Sequence, residues 1–233
     1  MIRKVCGMRD AANITQLLEL KPDYMGFIFY PHSKRYVGNP DIDLLSSISH
    51  SVKMTGVFVN ETMNKIADKV IKYNLDAVQL HGSESGEFCR SFKKYLQNLQ
   101  TEKHVEIIKA FGLSEEFDFH TLADYEDFVD YFLFDTKTSI YGGSGLTFDW
   151  DILKQYHGSK PYFLSGGISE ESINTIKGLK DARLHGVDLN SRFEIEPGIK
   201  DIDKLRSVFK LLGKSTSFDS GVSPENLKDT REQ

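Results

Sequence analysis

Apolar positions along this chain alternate between two kinds of pattern, and the alternation repeats. Short apolar runs at residues 2–5, 24–29, 53–59, 77–80, 105–111, 131–134, 162–164 and 186–189 read as strands buried on both faces. Between them, apolar residues return at helical spacing. Ala11, Ile14, Leu17 and Leu18 share one face, and Met63, Ile66, Ala67, Val70 and Ile71 share another. Phe88, Phe92, Tyr95, Leu96 and Leu99 mark a helix after the fourth run, and Leu205, Val208, Phe209 and Leu212 one after the eighth. After the seventh, a helix is predicted from near Ser169, with Glu170 and Glu171 in its first turn suiting the positive end of the dipole. A helix after every strand implies parallel pairing, and eight repeats imply closure. The predicted fold class is α/β, a single (β/α)8 TIM barrel. An open doubly wound sheet would usually show G-x-G-x-x-G after an early strand, where this chain has CGMRD.

Composition narrows the setting. The 233 residues suffice for one barrel, expected over residues 1–213; residues 214–233 are serine-rich, charged and weakly periodic, and read as a mobile polar tail. The balance of 34 acidic against 29 basic residues, with no basic block, argues against nucleic acid or an anionic membrane as partner. No apolar run reaches the roughly 18 residues of a membrane span, and the N-terminus lacks a secretory apolar core. Two cysteines, Cys6 and Cys89, cannot build a disulfide framework and fit a reducing compartment. The expected location is the cytoplasm.

Barrel enzymes place their chemistry where strands end at the C-terminal face. Those positions here are Cys6, the loop with Lys34 and Arg35, Asn60, Gln79 and His81, Asp135, Ser165-Gly166-Gly167, and Asp188 with Asn190 and Ser191. The sixth strand and its loop, YFLFDTKTSIYGGSGLTFDW, look central: Asp135 follows an aromatic run, with Phe134 as its expected apolar neighbour. Gly142, Gly143, Ser144 and Gly145 then form a loop able to fold closely over a ligand, and Thr147 is placed to cap a helix near residues 148–150. The loops after strands seven and eight suggest a phosphate site, since SGG ahead of a helix offers free N–H groups and a favourable dipole.

Taken in order, KVCG, GFIFYPHSKRYV, GVFVN, VQLHG, LFDT, GGSG, LSGGI and GVDLNS resemble phosphoribosylanthranilate isomerase, over residues 2–212. The resemblance implies conversion of N-(5-phosphoribosyl)anthranilate to 1-(2-carboxyphenylamino)-1-deoxyribulose 5-phosphate in tryptophan biosynthesis. It implies no cofactor and a small phosphoribosyl substrate; no His/Cys/Asp cluster has metal-ligand spacing, so no metal is expected, and the expected state is a monomer or homodimer. It assigns Asp135 as general acid, Cys6 as general base and Arg35 as clamp for the anthranilate carboxylate. Gln79, His81, Gly142, Gly143 and Asp188 are expected to touch substrate; Ser165, Gly166, Gly167, Asn190 and Ser191 are expected to hold phosphate. A free aspartate is ionised and a free cysteine protonated at neutral pH, so this pair needs its protons exchanged or a minority state.

Other readings stay open beside this one. Another phosphosugar isomerase of the same architecture, that of histidine biosynthesis, resembles this mechanism but has aspartate where Cys6 stands. A non-catalytic phosphate-binding barrel would not need Cys6, Asp135 and Arg35 together. Cys89, inside a helical pattern, is expected only to pack, and Lys34 to be a solvated charge. The chain departs from the family pattern at Ser144, usually threonine, and at Arg192, often glycine; a positive φ there would cost an arginine roughly 1–2 kcal/mol.

Overall fold

Successive side chains along a strand point to opposite faces, and in this protein the two faces meet two different cores. The structure is a computed structural model that describes residues 1–48, 52–99, 103–136 and 150–213. Its strands are β1 (Ile2–Cys6), β2 (Tyr24–Ile28), β3 (Lys53–Phe58), β4 (Ala77–Leu80), β5 (Glu106–Leu113), β6 (Tyr131–Thr136), β7 (Tyr162–Ser165) and β8 (Leu184–Leu189). They pair in chain order, all parallel, and close where β8 meets β1, with Lys4 beside Asp188. Inside the barrel lies a small core of Tyr24, Ala77, Ile108, Ala110, Leu133 and Phe163. Outside it, a much larger apolar shell joins the strands to the surrounding helices.

The helices are α1 (Ala11–Leu18), α2 (Ile42–Ser46), α3 (Met63–Tyr73), α4 (Gly86–Asn98), α5 (Ile173–Gly178) and α6 (Ile202–Leu212). Side-chain caps start several of them. Asp10, Ser85 and Asp201 accept from the N–H groups of Asn13, Phe88 and Lys204. α3 buries Ile66, Ala67, Val70 and Tyr73 and stops at Asn74, whose φ of 48° ends the helix. Ile71, counted on the same face from the spacing, is instead 60% exposed, because the apolar stripe is narrower than its sequence pattern.

Three expectations are corrected. Among the described residues, β5 is followed by a short 3-10 turn, Phe119–Asp124, rather than an α-helix, and another, Trp150–Gln155, precedes β7. Large aromatic rings pack around both turns: Phe111 on Phe117 and Tyr125, and Phe134 on Phe119, Tyr156 and Tyr162. After β7, α5 begins at Ile173 rather than near Ser169, since Ser172 Oγ bonds back to both N–H and C=O of Ser169 and holds Glu170 and Glu171 in a turn. Beyond β8, a 3-10 turn (Ser191–Phe193) leads into a hairpin, β9 (Glu194–Glu196) and β10 (Ile199–Lys200), that the periodicity did not announce. The glycines of the 142–145 loop, the Thr147 cap and the 214–233 tail lie outside the described residues. No described helix is long and apolar enough to cross a membrane.

Candidate active site

Lys4 and Cys6 are two apart on β1 and therefore share its inward face. Lys4 Nζ donates to Asp188 Oδ2 on the neighbouring β8 at 2.8 Å, with the lysine 0% and the aspartate 4% exposed. Asp188 Oδ1 is buried and has no hydrogen-bond partner among the described residues. Room for the Cys6 side chain comes from Gly26 on β2: a Cβ there would stand 2.7 Å from Cys6 Sγ and 3.1 Å from Cys6 Cα. Burial pushes the Cys6 thiol up. Lys4 pulls it down, Asp188 pushes it up and Lys200 pulls it down, and burial prevails. The resting site therefore holds a thiol at neutral pH.

Across the barrel mouth, Gln79 and His81 share the inward face of β4 and its end. Gln79 Nε2 lies 2.8 Å from His81 Nδ1, and His81 Nε2 lies 3.4 Å from Asp135 Oδ2 on β6. With the amide of Gln79 donating, Nδ1 accepts, and the ring hydrogen is left on Nε2, toward Asp135. Phe134, expected beside this acid, is turned the other way by the strand's alternation and packs in the outer shell. Asp135 instead neighbours Ser165 of β7 in register.

Cys6, Arg35, Gln79, His81, Asp135, Ser165, Gly166, Gly167, Asp188, Asn190, Ser191 and Arg192 all line one cavity of about 170 Å³. Every described residue expected to act on protons, substrate or phosphate is among them; of the other strand-end positions, Lys34 and Asn60 are not. Gly166 and Gly167 take φ of 85° and 61°, a pair of left-handed positions that other residues rarely adopt. Because α5 starts well beyond them, the expected helix dipole does not abut this loop. What the loop offers is backbone, facing the Asn190–Ser191 corner at the start of the 3-10 turn. Arg192 is exposed and is not among the residues with positive φ, so arginine carries no strain where the family often has glycine. Lys34 is exposed, as expected, and Cys89 is buried in α4 with its thiol pushed up to about 12 by burial, which suits packing.

A profile of the family described as N-(5'phosphoribosyl)anthranilate (PRA) isomerase matches residues 3–211. The chain belongs to that family. It is 46% identical over 209 residues to the N-(5'-phosphoribosyl)anthranilate isomerase of Parabacteroides distasonis, covering 89% of this chain and 91% of the relative. It is also similar to a crystallised phosphoribosyl anthranilate isomerase in complex with reduced 1-(o-carboxyphenylamino)-1-deoxyribulose 5-phosphate: TM-score 0.75, 32% identity, covering 91% and 98% of the two chains. A third likeness is to monomers made from the dimeric enzyme of Thermotoga maritima, with TM-score 0.71, 32% identity and the same coverage. Family membership makes this chain an enzyme, an isomerase of N-(5'-phosphoribosyl)anthranilate in tryptophan biosynthesis.

Within the isomerase, two charged side chains near the site escaped sequence reading: Glu194 and Lys200. Lys4, two residues from Cys6 on a strand read as buried, was legible as a charge able to act on the acid–base pair, though its partner Asp188 was not. Glu194 and Lys200 flank Pro197-Gly198, a turn signal between two short runs that marks a hairpin. A further buried pair braces the β4 end. Glu84 accepts from the N–H groups of Asn60 and Gly82 at 2.7 and 2.9 Å, and from Lys109 Nζ at 3.1 Å.

Proposed function

We propose that Asp135 and Cys6 move the protons of an Amadori rearrangement in this cavity. The substrate's closed sugar ring must accept a proton on its ring oxygen, which breaks the C1–O bond and leaves a Schiff base at the anthranilate nitrogen. Removal of the C2 proton then gives an enolamine, and its tautomer is the 1-deoxyribulose product. Substrate and product are isomers, so no electrons enter or leave and no cofactor is required by the chemistry. Asp135 supplies the first proton, held by His81 and, behind it, Gln79. Cys6 takes the second, and Asp188 offers its free Oδ1 to the sugar. Arg35 clamps the anthranilate carboxylate, which a planar guanidinium fits with two parallel N–H groups. Backbone at Ser165, Gly166 and Gly167, with Asn190 and Ser191, takes the phosphate, and Gly142 and Gly143 contribute to substrate binding.

The observation that carries this reading is convergence: an acid on β6, a thiol on β1 and an arginine after β2 line one cavity. Because burial holds the thiol protonated, turnover runs through a minor thiolate population or a shift on binding, with Lys4 and Lys200 opposing the burial. Activity resides in residues 1–213, and the enzyme works in the cytoplasm as a monomer or homodimer; the dimeric Thermotoga relative supports the second state. The direct test adds freshly made N-(5'-phosphoribosyl)anthranilate to purified protein and follows anthranilate-type fluorescence. A decay dependent on protein, lost in both Cys6→Ala and Asp135→Asn, is expected. Full decay in either variant would move its role to another residue.

A further inference from the structure

The β9–β10 hairpin brings two buried charges to the site that the proton transfers do not use. Glu194 faces Arg35 edge-on: Arg35 Nε donates to its two oxygens at 2.8 and 3.0 Å, and Nη2 donates to Oε2 at 2.6 Å. From behind, Lys200 Nζ donates to Glu194 Oε1 at 2.6 Å and to Asn190 Oδ1 at 2.8 Å. Lys200 is itself fixed to α1, its N–H donating to Asn13 Oδ1 at 2.7 Å and its carbonyl accepting from Asn13 Nδ2 at 3.0 Å. Exposure falls along this chain of contacts, from 23% for Arg35 to 5% for Glu194 and 0% for Lys200. Burial would raise the carboxyl of Glu194, but hydrogen bonds from Arg35 and then Lys200 outweigh it and keep the group ionised.

This geometry sorts the donors of Arg35. The Nε–Nη2 edge is occupied by Glu194, and Nη1 makes no hydrogen bond to any described residue. What remains for a ligand is the Nη1–Nη2 end, a two-pronged face that matches a carboxylate. A free arginine would have to lose its rotamer freedom on binding; here the hairpin has removed it beforehand. We propose that Glu194 and Lys200 are positioning residues that set this enzyme's selectivity for the substrate's aromatic carboxylate, an inference that rests on the reading of Arg35 as the clamp. Through Asn190, the same lysine ties the clamp to the corner proposed for phosphate, so both anionic ends of the substrate are referenced to one buried ammonium.

Charge alone predicts the opposite outcome. Arg35, Glu194 and Lys200 together carry one net positive charge, and neutralising Glu194 makes the neighbourhood more positive. If the hairpin acted only through its field, Glu194→Gln would tighten binding of a carboxylate. If it positions Arg35, the same change weakens it.

The test compares two ligands by calorimetry on the full chain: reduced 1-(o-carboxyphenylamino)-1-deoxyribulose 5-phosphate, and the counterpart made with aniline, which lacks only the carboxylate. The ratio of their Kd values isolates the carboxylate. In Glu194→Gln that ratio is expected to fall about tenfold toward unity, with the aniline compound bound as before. Because Glu194→Gln leaves Lys200 under-paired, Glu194→Gln/Lys200→Met, which removes both buried charges together, is measured beside it and is expected to lose the same preference. An unchanged or increased ratio in the folded variants overturns the positioning role while leaving Arg35 as clamp. A wild-type enzyme that binds both compounds equally overturns the clamp itself.

Discussion

Lys4 and Asp188 stand 184 positions apart in the chain and 2.8 Å apart in the fold, joined by a hydrogen bond at the seam where the barrel closes. Neither touches solvent appreciably. Burial by itself would favour a neutral lysine, but Asp188 and then Cys6 outweigh it and hold the ammonium charged. The seam thus combines three duties: closing the sheet, keeping one carboxylate oxygen for the cavity, and placing a positive charge beside the thiol.

Removing one member of this pair leaves the other as an uncompensated buried charge. Lys4→Met is expected to lose roughly 3–5 kcal/mol of stability in urea, and Lys4→Met/Asp188→Leu to regain most of it without regaining activity. With the nearest ammonium gone, the Cys6 pKa rises further, so the rising limb of kcat/KM against pH moves to higher pH in a destabilised but folded Lys4→Met protein. A limb that stays in place would separate Lys4 from the chemistry.

Cys6→Ala is expected to lower turnover by about 10²–10⁴, the usual worth of a positioned base, with little change in melting temperature. In the wild type, iodoacetamide at alkaline pH should modify Cys6 before Cys89, because of the two only Cys6 lines the cavity. The reduced product analogue should protect. Peptide mapping that finds inactivation following Cys89 would contradict the assignment.

Asp135→Asn keeps the shape of the carboxyl and removes its acidity. Turnover should collapse while the Kd of the product analogue stays nearly constant, since the ring is already open in that ligand. Loss of binding to the same extent as turnover would make Asp135 a ligand contact rather than the acid.

At the opposite end of the barrel, His185 packs against the rings of Tyr131 and Phe163, at centroid distances of 4.5 and 5.1 Å. Burial, with Lys53 adding to it, lowers its pKa to about 4. The unfolded chain, with histidine near ~6.5, takes up this proton first. Stability tied to His185 is therefore fully present above about pH 6.5 and is lost as pH falls toward about 4. After allowance for its partial solvent contact, the loss should be on the order of 1–3 kcal/mol. Urea unfolding of wild type and His185→Leu at pH 7 and 4.5 measures it; equal acid losses in the two proteins would exonerate the histidine.

Deleting residues 214–233 should leave kcat and KM unchanged, if the barrel alone carries the reaction. A large fall in either would mean that the tail contributes to the site.

Much of this molecule was written locally. The eight strand positions, α1, α3, α4 and α6, and the strand-end residues Cys6, Gln79, His81, Asp135 and Asp188 follow from periodicity, because side-chain direction along a strand or helix is a property of the backbone and needs no distant partner. The eight motifs in series carry the family signature. What tertiary structure alone decided is pairing. That Arg35 gives one edge to Glu194, that Lys4 belongs to Asp188, and that Phe134 turns away from the acid beside it depend on which strands meet and in what register. The 3-10 turn that follows β5 where a helix was expected sits among aromatic rings that several elements bring together. A lone charge in a sequence reads as solvated because exposure is its cheapest state. Only closure of the barrel supplies the buried partner that makes another state stable.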